Sequence, residues 1–373
     1  MKKKILIICF THLHRDPRIL RQISWLRENY EITTLGFSPS NVEGVRHIPF
    51  EPERNSRLAV KLKRAAQYFT KDYESFYWNA AMKELLKKAA NFSFDAIIAN
   101  DIDTLPLAVK LAENKAKVIF DAHEYAPLEH EESRRFRLLR QPFVEYLCRE
   151  YLPKVTAATT VCQGIADLFE RNYGRKFSII TNASEYREIS PSAVNPEKIR
   201  LIYHGGAFPG RGLENQIEMM NFLDEKYELN LMLLGDEKYI ERLKKIAGSN
   251  VNIKFLPPVS FAEIIDFTNQ FDIGVYSLAP TNTNNRLALP NKLFEYIQAR
   301  LAIVVSPSPE MKRLVEEFDL GIVAKDFEPQ SLAQVIEQLS AEKISYYKNQ
   351  ADKHAFELSA QKNKEIFLRL LKE

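Results

Sequence analysis

The chain has 373 residues, enough for two domains of ordinary size, and its 45% hydrophobic and 27% charged residues argue against a largely disordered protein. The formal net charge is +3, and residues 1–190 hold 30 Lys and Arg against 24 Asp and Glu, a net of +6. So small an excess does not indicate a nucleic-acid partner, although it suits an anionic acceptor or surface.

The N-terminal run MKKKILIICF predicts a buried first strand rather than a signal peptide. Its apolar part stops at Phe10, and no small-residue cleavage site follows. No apolar run reaches the roughly 18 residues that a membrane span needs. Cys9, Cys148 and Cys162 lack metal-ligand spacing, which favours structural thiols. We expect a cytoplasmic protein, with peripheral contact at the inner face of the membrane as an alternative.

The first half alternates short apolar runs with helical patterns, which is typical of a parallel sheet covered by helices. We predict strands at 4–10, 30–37, 96–100, 118–120 and 157–161, and helices at 56–69 and 73–90. A polar stretch with two prolines, TNASEYREISPSAVNP, indicates a linker over 184–198.

The second half repeats the alternation, with predicted strands at 199–203, 230–234, 253–255, 273–276, 302–305 and 321–323. The fold class is therefore α/β, with two doubly wound, Rossmann-like domains at 1–183 and 199–345. We expect these domains to face a cleft at the carboxyl ends of their strands, where such sheets bind ligands.

The loop after the first strand, THLHRDPRILRQ, contains a helix start. Asp16 can cap that helix, and Pro17 can occupy its first position. The remaining polar groups are His14, Arg15 and Arg18. They could contact a phosphate or an acceptor, or they could simply be surface charge.

Two further loops of the first half carry candidate groups. Asp101-Ile102-Asp103 could hold a divalent metal, but two carboxylates alone are a weak signal, and a helix cap at Asp103 is the simpler interpretation. We therefore predict no metal site, with Asp101 facing the acceptor. In VIFDAHEYAPLEH, His123 and Glu124 follow a strand and are candidates for catalysis or for an exposed loop.

Basic amphipathic patterns occur in SRRFRLLRQPFVEYL, over 133–147, and in KLKRAAQYF, over 61–69. Each mixes Lys or Arg with large apolar side chains. Such segments can rest on an anionic membrane, or they can be the solvated faces of ordinary domain helices.

In the second half, the segment LIYHGGAFPGRGLENQI joins a strand to a helix through four glycines, Gly205, Gly206, Gly210 and Gly212. This is not the dinucleotide fingerprint G-x-G-x-x-G. Glycines allow a ligand to approach the backbone closely, and Arg211 with the following helix start would suit a diphosphate. The alternative is a set of ordinary turns.

The segment ALPNKLFEYIQAR predicts a helix over 290–299, because Pro290 suits a first helical position. Its core face should hold Leu293, Phe294 and Ile297. Another side presents an amide, a cation and a carboxylate: Asn291, Lys292 and Glu295, beside Gln298. These groups near a helix N-terminus suit a sugar nucleotide, whereas an exposed Lys–Glu pair is the alternative reading.

ALPNKLFEYI, followed by a hydrophobic strand and SPSPE, resembles the donor site of GT-B glycosyltransferases, specifically the retaining family 4, or group 1. The resemblance implies transfer of a sugar from a nucleoside diphosphate to a hydroxyl acceptor without a metal or other cofactor. It also implies that the C-terminal helices, over 346–373, pack back toward the first domain. The acceptor could be a carbohydrate, or it could be linked to lipid or protein, in cell-surface polysaccharide or glycoconjugate synthesis.

The resemblance also assigns roles to residues. Glu295 would hold the ribose, Arg211 and Lys292 would neutralise the departing diphosphate, and the His123 backbone carbonyl would stabilise positive charge at the anomeric carbon. Glu124 would orient a sugar hydroxyl or help to deprotonate the acceptor. The donor-binding set is completed by Gly205, Gly206, Gly235, Pro257 and Asn291, while Asn182 is expected to be structural.

The chain departs from the family pattern at three positions. Leu287 stands where many members have a second glutamate, and Arg300 and Ala302 replace the glycine and proline of a turn. A left-handed conformation at Arg300 would cost about 1 kcal/mol relative to Gly. Two alternatives therefore stay open: a nucleotide-sugar epimerase on the same fold, and a sugar-nucleotide-binding protein without catalysis.

Overall fold

A computed structural model describes residues 2–51, 58–113 and 115–372 of the chain, without the side chains of residues 58–61, 63 and 64. The chain divides into two compact units. The first comprises Met1–Ile180 with Ile366–Glu373, and the second comprises Thr181–Glu365.

The first unit is built on a seven-stranded sheet in which every described pairing is parallel. Its strands are β1 (Lys3–Ile8), β2 (Tyr30–Gly36), β3 (Arg46–Pro49), β4 (Ala96–Asn100), β5 (Lys117–Ala122), β6 (Ala157–Thr160) and β7 (Ser178–Ile179). The order is β3-β2-β1-β4-β5-β6-β7, so the direction of winding reverses between β1 and β4. Such a reversal places helices on both faces of a sheet, because the crossovers are right-handed.

The helices of the first unit lie between these strands. They are α1 (Pro17–Leu26), α2 (Leu58–Phe69), α3 (Tyr73–Tyr77), α4 (Ala80–Ala89), α5 (Leu105–Ala112), α6 (Arg134–Leu139), α7 (Gln141–Tyr151) and α8 (Gln163–Tyr173). The central strands β1, β4 and β5 are almost wholly buried, which explains why their sequences read as continuous apolar runs.

The second unit has a six-stranded sheet of the same kind, in the order β10-β9-β8-β11-β12-β13. Its strands are β8 (Ile199–Ala207), β9 (Tyr227–Gly235), β10 (Ile253–Leu256), β11 (Ile273–Tyr276), β12 (Ala302–Val305) and β13 (Gly321–Val323). The winding reverses between β8 and β11. Its helices are α9 (Leu213–Met219), α10 (Glu237–Ala247), α11 (Ile264–Thr268), α12 (Thr283–Arg286), α13 (Asn291–Gln298), α14 (Pro309–Glu317), α15 (Pro329–Glu337) and α16 (Ala341–His354).

The last helix, α17 (Ala360–Lys372), passes from the second unit into the first. Only its end belongs to the first unit, where Phe367 packs 5.7 Å from the Trp25 ring and the Leu371 carbonyl accepts a hydrogen bond from Lys117. The predicted linker at 184–198 and the whole of α16 belong to the second unit. Buried Lys348 of α16 donates to the Phe271 carbonyl at 2.9 Å, which fixes that helix on the second unit.

The predicted strands are all present, and those at 96–100, 273–276, 302–305 and 321–323 have the predicted limits. Two short strands, β3 and β7, were not predicted. The helix predicted over 73–90 is wrong as a single element, because it breaks at Trp78 and restarts where the Asn79 side chain accepts from Met82 N. The predicted start of α2 at Ser56 lies outside the described residues.

No helix in the described part of the chain is both long and apolar enough to cross a membrane. All three cysteines, Cys9, Cys148 and Cys162, are free and buried. Burial raises the pKa of the Cys148 thiol to about 12, which leaves it protonated and unreactive at neutral pH.

Candidate functional site

The second unit brings a histidine, several glycines and a proline to the carboxyl edge of its sheet, where the winding reverses. β8 ends in His204-Gly205-Gly206-Ala207, Gly235 ends the neighbouring β9, and Pro257 directly follows β10. Gly235 and Pro257 are exposed. The strand edge beside such a reversal is where doubly wound sheets bind ligands.

Lys292 lies over this reversal point. Its Nζ is 4.8 Å from the centre of the Tyr203 ring, at β8, and 4.6 Å from the centre of the Tyr276 ring, at β11. The two rings are parallel, with centres 6.2 Å apart, and both are fully buried. The ammonium group of Lys292 therefore packs against the faces of both rings and is held there by cation–π attraction.

The charge of Lys292 is set by its surroundings. Burial lowers the pKa of Lys292 to about 8, Glu295 works against this shift, and the nearby positive charge of Arg211 adds to it. Two cations close enough to affect each other form a site that favours an anion, since a bound anion relieves their repulsion.

Two glycines in the segment from β8 to α9, Gly205 and Gly212, have positive φ values that disfavour any larger residue. Gly205 has φ +124, a conformation that side chains rarely adopt, and a Cβ there would stand 3.4 Å from Lys292 Nζ. Gly212 has φ +68, and a Cβ there would come within 2.7 Å of the Ser277 carbonyl oxygen. Arg211 is exposed in the turn between them, and α9 starts directly after Gly212.

Glu295 is buried, at 6% exposure, so the alternative of an exposed Lys–Glu pair is wrong. Its Oε2 lies 3.7 Å from Nε2 of His204, which is itself only 2% exposed. Burial, with a smaller effect of Lys292, lowers the pKa of His204 to about 3. The imidazole is therefore neutral, and 3.7 Å is too long for a hydrogen bond. His204 was not among the predicted site residues, because one histidine in an apolar strand usually packs in a core.

The helix that carries these groups is slightly shorter than predicted. α13 starts at Asn291, and Pro290 is its N-cap in extended conformation rather than its first helical residue. The predicted core face, Leu293, Phe294 and Ile297, is fully buried. Asn182 has the expected structural contact, since its Nδ2 donates to the Leu289 carbonyl at 3.2 Å.

Arg300 occupies the turn after α13 and has φ +60, the left-handed conformation whose cost was considered above. Its guanidinium is wholly buried and donates to Asp352 at 2.6 Å and to the carbonyls of Gln298 and Arg187, each at 2.6 Å. Arg300 thus ties the turn to α16 and to the segment before β8.

The first unit has its own polar cluster at the carboxyl ends of β1, β4 and β5. Asp16 caps α1 by accepting from the amides of Arg18 and Ile19, as predicted. Arg15 is exposed, and His14 Nδ1 is 3.1 Å from Ser38 Oγ. A contact of His14 and Arg15 with an acceptor stays a prediction.

Arg18 does not serve as an open contact for phosphate or acceptor, so that prediction is wrong. It is 7% exposed and binds Asp121 through two hydrogen bonds, of 2.7 Å from Nε and 2.5 Å from Nη2. Burial opposes the charged form of Asp121, but Arg18 outweighs it, and the pKa of the Asp121 carboxyl is lowered. Gln22 and Thr159 also donate to Asp121, each at 2.7 Å.

His123 lies next to the buried ion pair of Arg18 and Asp121. Its Nδ1 is 3.3 Å from Asp101 Oδ2, and its Nε2 is 3.3 Å from Asn100 Oδ1 and 3.9 Å from Asp121 Oδ2. The neighbouring Glu124 is exposed. The structure therefore brings His123 together with Asp101, two residues that the sequence analysis treated separately.

Asp103 is not a helix cap. It lies inside a 3₁₀ turn, Ile102–Thr104, and its carboxylate binds Arg140 at 2.5 Å. The N-cap of α5 is Thr104, whose side chain caps no amide. Within the described residues, no group of three or more His, Cys, Asp or Glu side chains is arranged to hold a metal ion.

The two basic segments lie side by side in the first unit. Tyr68, in α2, donates from its hydroxyl to the Leu138 carbonyl at 3.4 Å. Phe69 and Leu138 are 75% and 72% exposed, and Arg135 and Arg137 are exposed beside them. Contact with an anionic membrane stays a prediction. The side chains of Lys61, Lys63 and Arg64 lie outside the described ones.

The chain is similar in sequence to known glycosyltransferases. Residues 198–342 match the family model described as Glycosyl transferases group 1. The uncharacterized glycosyltransferase MJ1069 of Methanocaldococcus jannaschii is 29% identical over 170 residues, which are 44% of this chain and 42% of that protein. The chain thus matches less than half of this curated relative's length.

Several solved structures match over the whole chain. HepE of Anabaena, solved in complex with UDP and glucose, has a TM-score of 0.71 and 14% identity, with all of both chains covered. Sucrose-phosphate synthase of Thermosynechococcus elongatus has a TM-score of 0.75 and 11% identity, covering 100% of this chain and 98% of that one. These likenesses confirm the predicted α/β fold with two parallel sheets, of the GT-B type.

Proposed function

We propose, from the match of residues 198–342 to the model of the glycosyl transferases group 1 family, that the protein transfers a sugar from a nucleoside-diphosphate sugar to a hydroxyl acceptor. The observation that carries the proposal is the placement of Lys292 over Tyr203 and Tyr276, at the winding reversal of the second sheet. A cation fixed there faces the position at which such sheets bind phosphates.

The second unit would hold the nucleotide part of the donor. Lys292 and Arg211 neutralise the diphosphate, and Gly205 gives its oxygens access to the backbone. Buried Glu295 accepts hydrogen bonds from the ribose hydroxyls, with neutral His204 beside it. Gly235 and Pro257 border the base. UDP is the first nucleotide to test, because the structurally similar HepE was solved with UDP.

The proposed reaction retains the configuration at the anomeric carbon. The bond from that carbon to the diphosphate oxygen breaks, a bond to the acceptor oxygen forms on the same face, and the acceptor's proton passes to the departing phosphate. Arg211 and Lys292 stabilise the charge that develops on the leaving group, so the proposal needs no divalent metal. His123 and Glu124 are proposed to act at the sugar and the acceptor.

Product analysis tests this proposal against its alternatives. UDP-glucose and other sugar nucleotides are incubated with the protein, with and without a mixture of simple glycosides, and the products are identified by NMR. A transferase yields a new glycosidic bond with retained configuration. An epimerase changes the sugar nucleotide without any acceptor, and a binding protein yields no product.

Two variants connect the activity to the site. Arg211→Ala and Lys292→Ala should each slow transfer by about a hundredfold, the size typical for loss of one charge-stabilising group. Arg242→Ala is the matched control, because Arg242 is an exposed arginine of the same unit, 3.9 Å from Glu214. Unchanged turnover in both site variants would refute the assigned roles.

A further inference from the structure

Asp101 has a backbone conformation that non-glycine residues almost never adopt. Its φ and ψ are 64° and 156°, in the region that is essentially reserved for glycine. Such a conformation persists only where the surrounding structure enforces it, and it is often found where a side chain must be aimed at a functional group.

The surroundings of Asp101 enforce this conformation through backbone hydrogen bonds. Its amide donates to the Asp121 carbonyl at 3.0 Å, across the ends of β4 and β5. Its carbonyl accepts from the Thr104 amide at 3.1 Å and from Thr104 Oγ1 at 2.9 Å. The same hydroxyl donates to the Asn100 carbonyl at 2.9 Å. The turn is thus tied to both strands and to the start of α5.

The unusual turn directs both carboxylate oxygens of Asp101 at one residue. Oδ1 accepts from the backbone N–H of His123 at 3.3 Å, and Oδ2 lies 3.3 Å from His123 Nδ1. The carboxylate thereby holds the loop backbone and the imidazole ring together. It remains 46% exposed, so it is not merely a buried structural ion pair of the kind that Arg18 forms with Asp121.

We propose that Asp101 is a positioning residue that orients the His123 ring and keeps a proton on Nδ1. The proposal rests on the proposed function only for the claim that an oriented His123 serves sugar transfer. The competing explanation is that the turn merely connects β4 to α5 and that its carboxylate has no role.

Two substitutions separate these explanations. Asp101→Gly and Asp101→Ala both remove the carboxylate, but only glycine adopts this φ and ψ without strain. We therefore expect Asp101→Gly to unfold at a temperature several degrees above Asp101→Ala. Asp103→Ala is the control, because it removes a neighbouring carboxylate that binds Arg140 rather than His123.

The readout for positioning is the imidazole NMR spectrum of protein carrying ¹⁵N-labelled histidine. The chain has 7 histidines, and the His123 signals are assigned by their loss in His123→Gln. In the wild type and in Asp103→Ala, His123 should carry its proton on Nδ1. In both Asp101 variants the proton should move to Nε2, which faces the Asn100 amide oxygen at 3.3 Å. Turnover should fall at least tenfold in both, because a small misplacement of a reacting group can cost that much or more.

The outcomes separate the two claims. If Asp101→Gly keeps the Nδ1 proton on His123, or keeps wild-type turnover, the positioning role is refuted. Equal unfolding temperatures for the glycine and alanine variants would refute the strain on which the inference rests. If the spectra change as expected but the wild-type protein transfers no sugar, the positioning role stands and the proposed function fails.

Discussion

A lysine that is buried away from water binds its proton less tightly than a lysine in solution. For Lys292, burial outweighs the attraction of Glu295, and its pKa falls from the ordinary 10.5 to about 8. At pH 7 the side chain is still mostly charged and can attract an anion. Because the charged side chain is partly removed from water, it lowers the free energy of unfolding of the unliganded protein.

The pH dependence of stability should show this cost. Because the folded pKa of Lys292 lies below its unfolded value, the unfolded state binds more protons between about pH 8 and 10.5. This residue therefore makes the protein more stable as pH rises through that range. Lys292→Met should lack the rise and should be more stable than the wild type at pH 7 by about 1 kcal/mol.

Urea unfolding at pH 7, 8.5 and 10 measures this effect. Lys245→Met is the control, since Lys245 is an exposed lysine in α10 and its replacement should change stability by less than about 0.5 kcal/mol. A Lys292→Met protein that is less stable than the wild type at pH 7 would contradict the account of a desolvated charge.

Some residues of the candidate site could be predicted from the sequence, and others could not. Lys292 and Glu295 were identified because their helix has a clear apolar face, which leaves few positions for polar groups. Arg18 was misassigned, because an arginine near a strand end reads the same whether it faces solvent or a buried aspartate 103 residues later. His204 is the converse error, a site residue that was not predicted. It belongs to the site because it lies 3.7 Å from Glu295, and no local sequence pattern encodes that distance.

At the scale of elements, the turn between α13 and β12 combines a strained backbone with an ion pair in which Arg300 is wholly buried and Asp352 is 45% exposed. The left-handed conformation of Arg300 costs about 1 kcal/mol, whereas its hydrogen bonds to Asp352, Gln298 and Arg187 replace those that a buried guanidinium loses with water. The second effect should dominate, since a hydrogen bond from a charged group contributes about 1.5–3 kcal/mol and glycine would remove all three.

Replacement of Arg300 by glycine should therefore destabilise the protein by at least about 2 kcal/mol, even though glycine relieves the strain. Lys71→Gly is the matched control: Lys71 has the same φ of 60° but is exposed, so its replacement should be neutral or stabilising by up to about 1 kcal/mol. Chemical denaturation of both variants provides the test. Stabilisation by Arg300→Gly would show that the ion pair contributes little.

The elements that the sequence predicted well are the buried ones. Strands such as β4 and β12 are apolar throughout because both of their faces are covered. β3 and β7 escaped prediction because they are short, partly exposed edge strands with mixed residues. The break between α3 and α4 was missed because Trp78 and Asn79 continue the helical pattern, and only the capping hydrogen bond of Asn79 marks the new start.

At the scale of the whole molecule, the alternation of strands and helices predicted two parallel sheets, and the structure has them. The order of strands could not be derived from local patterns, because it depends on which strands pair across long separations. The unit boundary also differs from the predicted linker, since residues 184–198 pack with the second unit through contacts such as Ser192 Oγ to the Asn269 carbonyl, 2.6 Å.

The central claim is that the second unit binds a nucleoside diphosphate through Lys292, Arg211 and Glu295. Its most direct test is a calorimetric titration of the 373-residue chain with UDP, GDP and ADP at pH 7 in the presence of EDTA. The titration is repeated with Glu295→Gln and with Glu225→Gln, a control at an exposed glutamate beside the amino end of β9, away from the carboxyl edge.

We expect one of the three nucleotides to bind despite EDTA, with affinity at least tenfold weaker in Glu295→Gln and unchanged in Glu225→Gln. A neutral amide at position 295 cannot replace a carboxylate that accepts from two ribose hydroxyls. A wild-type protein that binds none of them, that requires a divalent ion, or that loses no affinity in Glu295→Gln would contradict the assigned donor site.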